Sequence, residues 1–160
     1  ASHKTPFGML YLVSDEHILL AAGFRSFTDF LGRMDPSDLN RDVKSVRNIP
    51  IISDLVKDYC DGDLNAFNGI QTRQPGGEFF QSVWKVMRKI PAGKTMSYAE
   101  LAERAGSERA VRAAGTACAR NLIAPIIPCH RVVKSGGALG NYGYGLDIKE
   151  KLLRFEGGLK

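Results

Sequence analysis

Residues 121–133 read Asn-Leu-Ile-Ala-Pro-Ile-Ile-Pro-Cys-His-Arg-Val-Val. The cysteine is Cys129 and the histidine His130; Pro128 and Arg131 frame them at the end of an apolar run. That is an unusual setting for a thiol. A thiolate is the strongest nucleophile a side chain offers, and the thiol pKa controls how much of it exists. An unperturbed cysteine titrates near ~8.5, so most of it is thiol at neutral pH. The useful questions are what deprotonates this sulfur and what it attacks.

Upstream, Ser97-Tyr98-Ala99-Glu100 is a capping box: Ser97 can accept the Glu100 backbone N–H, and Glu100 can reach back. It predicts a short helix over 98–105, ended by Gly106. Ser107 is read as the cap of a second helix, roughly 108–120. Two helices joined by a glycine turn resemble a helix-turn-helix. In the second, Arg109, Arg112, Thr116 and Arg120 form one polar stripe, with Ala110, Ala113, Gly115, Ala117 and Ala119 between and beside them. Small side chains let a helix backbone approach a large partner, and a helix that only packed in a core would carry more Leu and Ile. The stripe is read as a DNA-facing surface rather than a solvated one.

Downstream, Val132–Leu139 has turn signals between short apolar runs, as a β-hairpin wing would. Asn141-Tyr-Gly-Tyr-Gly145 is a glycine-rich aromatic loop that can bring backbone N–H groups close to a flat ligand. Asp147-Ile-Lys-Glu150 reads as a second capping box, with a helix running to Glu156 before Gly157-Gly158.

The N-terminal half is patterned differently. Phe7–Val13 and Ile18–Gly23 read as a β-hairpin. A short helix near 27–31 and a strand near 42–47 are expected. Asn48 is a candidate N-cap with Pro50 in the first turn, and Ile51, Leu55, Val56 and Tyr59 share a helical face that Asp61-Gly62 stops. The polar stretch Gln71–Gly77 is the expected linker. It precedes a helix over 78–89 whose buried stripe is Phe79, Val83, Val86, Met87 and Ile90; Pro91–Lys94 then turns. These boundaries predict an α/β domain over 1–76 and a second domain over 77–160.

Composition narrows the function. With 160 residues, 44% of them hydrophobic, the chain can build one core or two small adjoining ones. Residues 1–80 hold 8 Lys/Arg against 11 Asp/Glu, a balance of −3, while residues 81–160 hold 14 against 6, a balance of +8. The split points to a basic half that meets a polyanion. No apolar run approaches the ~20 residues of a membrane span. No leader pattern is apparent at the N-terminus, so a cytoplasmic location, or a nuclear one in a eukaryote, is expected. An odd cysteine count (Cys60, Cys118, Cys129) fits reduced thiols, and Cys60 and Cys118 read as small core residues. There is no Cys-x-x-Cys pair, and His3, His17 and His130 are scattered, so no metal site is expected.

A cysteine beside a histidine permits two chemistries. Acyl transfer wants an oxyanion hole and a base in direct contact with sulfur. Attack on a saturated alkyl carbon needs only a thiolate, a donor for the leaving oxygen and a pocket for the leaving group. Neighbours in an extended segment point to opposite sides, so His130 is expected to reach Cys129 through a water.

With Pro128-Cys129-His130-Arg131-Val132, Asn121 eight residues upstream, and Lys-Glu-x-Leu-Leu-x-x-Glu-Gly at 149–157, the chain resembles the O6-alkylguanine-DNA alkyltransferase family. The likeness runs from Thr5-Pro6-Phe7-Gly8 to Glu156-Gly157 and includes Phe79-x-x-x-Val83-Trp84, Ile90-Pro91-x-Gly93 and Ser97-Tyr98-x-x-Leu101-Ala102. The resemblance implies an α+β protein: an N-terminal ribonuclease-H-like α/β domain and a C-terminal helical winged-helix or helix-turn-helix domain. It implies a monomer that binds double-stranded DNA containing O6-alkylguanine through the minor groove, and flips the damaged nucleotide. The alkyl group of O6-alkylguanine, and of O4-alkylthymine, would pass irreversibly to Cys129, once per molecule, with no cofactor.

The roles implied are specific. Cys129 is the acceptor, His130 the base acting through water, and Glu156 the carboxylate that orients it. Asn121 braces the active-site segment. Tyr98 hydrogen-bonds the flipped guanine and assists leaving-group protonation. Arg112 fills the space left by the base, while Ala110 and Gly115 pack into the groove beside Arg109 and Thr116. Val132 offers its carbonyl to the guanine amino group, and Tyr142, Gly143 and Tyr144 form the pocket wall. The sequence departs from the family in having Leu122 rather than proline after Asn121, Ala119-Arg120 before it, and a bulky Tyr144 that either stacks on large alkyl groups or blocks them. Two other readings compete: a non-enzymatic helix-turn-helix regulator or lesion sensor, and a thiol hydrolase.

Overall fold

The computed structural model describes residues 1–159, and those residues divide into two compact units. The first is Ala1–Pro75 with Leu122–Ile126; the second is Gly76–Asn121 with the chain from Ile127 onward. The protein is α+β, the class expected.

The first unit is a four-stranded sheet in the order β1-β2-β3-β4, formed by Ser2–Thr5, Gly8–Asp15, Ile18–Gly23 and Gln71–Thr72. β1, β2 and β3 run antiparallel and β4 lies parallel to β3. The expected hairpin is β2–β3. β1 was not anticipated, because Ser2–Thr5 carries no apolar alternation and is held by its ladder to β2. Leu19 to Ala22 are all buried, the continuous pattern of a strand covered on both faces. The free edge of β3 beyond β4 pairs with the 122–126 segment: Ala22 donates to the Leu122 carbonyl at 2.9 Å and accepts from the Ala124 N–H at 3.1 Å. Gln74 Oε1 takes the Leu122 N–H at 2.8 Å. Two helices complete this unit, α1 (Pro36–Leu39) and α2 (Ile52–Cys60). Ile52, Val56 and Tyr59 form the buried face of α2, and Tyr59 stacks on Phe67 at 4.1 Å.

Four local expectations fail in this unit. The stretch expected as a linker begins as structure, since Gln71–Thr72 is β4 and Gln74 is buried. Residues 42–47 form no strand; Val43 is 77% exposed and Val46 is exposed too, so two isolated valines leave nothing to bury. Near 27–31 the chain makes only a single 3-10 turn, Thr28–Phe30. Asn48 does not cap α2. The helix follows a tight γ-turn at Ile51 (φ 71°, ψ −56°), where the Ile52 N–H donates to the Pro50 carbonyl at 2.8 Å, a rare and strained conformation. Ser53 instead satisfies the Ile49 N–H at 2.7 Å.

In the second unit α3 (Glu78–Arg88) packs against α4 (Tyr98–Arg104) and α5 (Val111–Arg120). Trp84, absent from the expected stripe, is buried, and its indole N–H donates to the Ala117 carbonyl at 2.9 Å, fixing α3 to α5; Phe79 and Val86 are only half-buried. Ser97 caps α4 as expected, accepting the Glu100 N–H at 3.1 Å, but the Glu100 carboxylate pairs with Arg104 at 2.9 Å. Ser107 caps nothing: its carbonyl accepts the Ala110 N–H at 3.0 Å in a separate turn, and α5 starts only at Val111. Arg109 therefore stands before the helix, and the expected stripe is shortened to Arg112, Thr116 and Arg120.

Strands β5 (Met96–Ser97) and β6 (Val132–Val133) pair in parallel, which places the residues after Cys129 beside the start of α4. The expected hairpin wing is a tight turn, closed by the Lys134 N–H on the Ala138 carbonyl at 2.8 Å. The last helix, α6, is Leu146–Phe155. Its N-cap is Gly145, which has no side chain to offer, so the second capping box does not form and Asp147 lies in the first turn.

Candidate active site

Cys129, His130 and Arg131 form one 3-10 turn, anchored by the Cys129 N–H on the Ile127 carbonyl at 2.9 Å. The segment is thus a turn, not the extended chain expected. All three residues are buried, His130 completely.

Cys129 meets Asn121, while His130 and Arg131 converge on Glu156. Toward the end of α5, the Asn121 amide donates to the Ile127 carbonyl at 2.8 Å and to Cys129 Sγ at 3.4 Å. Asn121 thereby bridges the two points where the chain departs to and returns from residues 122–126. Toward the end of α6, His130 Nε2 lies 3.0 Å from both Glu156 oxygens. Arg131 clamps the same carboxylate, Nε to Oε1 and Nη2 to Oε2, both at 2.9 Å, while Nη1 donates to the Ile90 carbonyl at 2.7 Å. Gly93 lets the turn after α3 come close: at its φ of 87°, a Cβ would stand 3.0 Å from the Glu156 carbonyl oxygen.

These contacts fix charge states. Burial alone would raise the Glu156 pKa, but the hydrogen bonds from His130 and Arg131 outweigh it and hold the carboxyl well below its usual range. His130 is moved the other way: burial lowers its pKa, and the Glu156 carboxylate only partly offsets that. A neutral imidazole facing an ionised carboxylate must carry its proton on Nε2. Nδ1 then presents a lone pair; it is buried and has no hydrogen-bond partner in the structure. A base held in one tautomer, with its second nitrogen enclosed and one residue along the chain from a thiol, is equipped to take a proton.

Stability should record this arrangement. Both groups have depressed folded-state pKa values, so each contributes stability that is present above its unfolded pKa and lost as pH falls through its folded one. For His130 the loss begins below about pH 6.5, and for Glu156 below about 4.3. Melting temperature is expected to fall between about pH 7.5 and 5.5, and this slope should flatten in His130→Asn. An identical slope in the variant would place the titration elsewhere.

Tyr98, at the start of α4, has burial pushing its phenol pKa up to about 12, reinforced by Cys118 and Cys129 and opposed by a hydrogen bond with the Asn141 backbone. It is a proton donor at neutral pH. Gly140 makes room for it; at φ 74°, an added Cβ would lie 3.2 Å from the Tyr98 hydroxyl. Beyond lie Tyr142 and Tyr144, half-buried, rings edge to face at 5.6 Å, with Gly143 exposed between them.

Two functional candidates were missed from the sequence. Arg131 was read only as part of a motif. Lys149, on α6, is completely buried, and its ammonium donates to the Val132 carbonyl at 2.7 Å and the Asn141 carbonyl at 3.2 Å. It ties β6 to the aromatic loop and uses one lone pair of the carbonyl expected to meet the guanine. The available signal was position: Lys149 shares the buried face of α6 with Leu152, Leu153 and Glu156. Cys118 and Cys60 are half-buried rather than core residues; desolvation still raises the Cys118 thiol well above its ordinary range, and its sulfur sits 3.7 Å from that of Met87.

Apart from Tyr98 on α4, the candidate DNA-binding residues lie on α5 and in the turn before it. Arg112 and Thr116 are exposed, and Thr116 bonds back to the Arg112 carbonyl at 3.0 Å. Ala110 and Gly115 are half-buried, and nothing lies within 4 Å of a Cβ built on Gly115. Arg109 is exposed in the preceding turn, and Val111, 37% exposed, adds an apolar contact at the helix start. Among the described residues no helix is long and apolar enough to cross a membrane.

Comparison with known proteins agrees with this geometry. A family model described as 6-O-methylguanine DNA methyltransferase, DNA binding domain, matches residues 78–158. A methylated-DNA–protein-cysteine methyltransferase of Methanosarcina acetivorans is 36% identical, with 98% of this chain and 97% of the relative covered. One of Shigella flexneri with the same name is 34% identical over 96% of this chain and 92% of its own length. Among solved structures, Mycobacterium tuberculosis OGT in complex with DNA superposes with a TM-score of 0.82 at 31% identity, covering 98% of this chain and 91% of that one.

Proposed function

The chain belongs to the family of 6-O-methylguanine DNA methyltransferases, and we propose on that premise that it repairs DNA by direct reversal, with Cys129 as a single-use acceptor. The alkyl group of O6-alkylguanine, or of O4-alkylthymine, moves to the Cys129 sulfur. A bond forms between sulfur and the alkyl carbon, and the bond from that carbon to guanine O6, or to thymine O4, breaks. The bonding pair leaves with the base oxygen. His130 takes the thiol proton through a water at Nδ1, and Glu156, held by Arg131, stabilises the imidazolium. Tyr98, protonated at neutral pH, donates toward the departing base. The product is a thioether, which offers no good leaving group, and the site supplies no step that regenerates the thiol.

The observation that carries this reading is the state of His130: Nε2 fixed on Glu156, Nδ1 enclosed and open to a proton, one residue from a sulfur that accepts the Asn121 amide. No oxyanion hole is needed for attack at saturated carbon, which sets this site apart from a thiol hydrolase. We assign DNA binding and alkyl transfer to the second unit. α5 enters the minor groove of the duplex, and Lys149 and Val132 with Tyr142, Gly143 and Tyr144 frame the flipped base. The working form is a monomer, and the location cytoplasmic, or nuclear in a eukaryote.

The direct test is to weigh the protein after incubation with a duplex containing O6-methylguanine. A gain of one methyl group, mapped to Cys129 and not increased by further lesion, is expected. An unchanged mass with a competent duplex, while the lesion stays bound, would instead establish a lesion sensor.

Arg112→Ala separates flipping from chemistry. Arg112 is exposed on α5 and far in role from the proton path. Duplex repair is expected to slow by about 10- to 100-fold, the few kcal/mol of unstacking that the arginine no longer compensates, while transfer from free O6-alkylguanine base changes little. Equal losses on both substrates would contradict the assignment.

A further inference from the structure

On the side of α4 away from Tyr98, the second unit has a groove of about 400 Å³. Its walls are the end of α3, the turn that follows, and α4. Val86, Ile90 and Met96 give it an apolar floor, and Lys89, Lys94 and Arg104 stand at its rim. An α-helix turns about 100° per residue, so Glu100 and Arg104, which line the groove, point opposite to Tyr98. No residue of α5 contributes.

The groove is preformed. The Ile90 carbonyl is held by Arg131 at 2.7 Å, the turn is closed by the Lys94 N–H on the Pro91 carbonyl at 3.1 Å, and Gly93 is packed against the Glu156 backbone. Its volume lies within the range of ligand sites, roughly 300–1,000 Å³. Its charge is unbalanced: Glu100 is already engaged by Arg104 at 2.9 Å, whereas Lys89 and Lys94 form no ion pair among the described residues.

We propose that this groove docks an acidic peptide segment of a partner protein, with one aliphatic side chain on the floor and carboxylates at Lys89 and Lys94. The combination selects the occupant. Duplex DNA presents phosphates at its outer surface but no apolar group to fill the floor. A free inorganic anion has no use for the floor and would meet only exposed lysines. An acidic segment with an aliphatic anchor satisfies both parts, in the way that an interface joins a buried apolar anchor to a charged rim. Since α5 is not involved, such a partner binds together with DNA.

The probe is a fluorescein-labelled hexapeptide, Glu-Asp-Glu-Leu-Asp-Glu, titrated with the full chain and followed by anisotropy. Binding is expected to weaken by about tenfold when the leucine is replaced by serine, and by tenfold or more in Lys89→Glu combined with Lys94→Glu. Both lysines are exposed, so the variant should keep its melting temperature and its methyl transfer from free base. A saturating unmodified duplex should leave the peptide bound. No binding, equal affinity for the serine peptide, equal affinity of the double variant, or displacement by the duplex would each overturn the proposal.

Discussion

Cys129→Ser is expected to show no gain in mass after prolonged incubation with O6-methylguanine duplex, while the unsubstituted protein gains one methyl group. The substitution changes little but the nucleophile. Serine fits the same turn, and its hydroxyl can still accept the Asn121 amide that reaches Sγ at 3.4 Å. Stability should therefore change by only about 1 kcal/mol or less. Reactivity changes by orders of magnitude, because a hydroxyl ionises far less readily than a thiol and is a much weaker nucleophile toward a saturated alkyl carbon. The variant thus isolates transfer from binding: it should retain affinity for the lesion duplex and leave the lesion in place. A methyl group found on Cys118 or Cys60 in this variant would move the acceptor role. That outcome runs against the structure, since burial raises both thiols above their ordinary range and Cys118 packs on Met87.

The chemistry was legible because it is written in contiguous residues. Pro128-Cys129-His130-Arg131 needs no distant partner to be noticed, and Ser97 caps α4 through a bond that spans three residues. What escaped depends on residues far apart. Glu156 was named as the partner of His130 through the resemblance, but its clamp by Arg131 was not, nor the reach of Arg131 to the Ile90 carbonyl 41 positions away. Lys149 carries a charge on a buried helix face beside Leu152 and Leu153, an arrangement tolerable only because the carbonyls of Val132 and Asn141 are there to receive it. Periodicity cannot reveal such partners. Local signals also failed. Asn48 was passed over because the γ-turn at Ile51 starts α2 only at Ile52, and β1 formed without a strand pattern because β2 offered it a ladder. The turn at 107–110 delays α5 and removes Arg109 from the helix, which spacing alone could not foresee.

Substitution of Glu156 should have a double effect whose halves can be separated. The carboxylate is buried and receives His130 and both arms of Arg131. Glu156→Ala leaves a buried guanidinium with the Ile90 carbonyl as its remaining acceptor, a loss of about 3–5 kcal/mol. At about 2–4 °C per kcal/mol for a chain of this size, the melting temperature should drop by roughly 6–20 °C. Glu156→Gln is gentler on packing but changes the proton. An amide can donate to Nε2, which moves the imidazole proton to Nδ1 and removes the lone pair that the reaction requires. Single-turnover transfer, measured well below the melting temperature, should then slow by about 10²–10⁴ at neutral pH, the usual contribution of a positioned base. The deficit should shrink as pH rises toward the ordinary thiol range near ~8.5, because solvent can then deprotonate Cys129 without His130. Arg131→Ala provides the contrast: it should lower the melting temperature yet keep most of the rate, since Glu156 still holds the Nε2 tautomer. A Glu156→Gln deficit that stays constant across pH would reduce the carboxylate to a structural anchor, and the His130 mechanism with it.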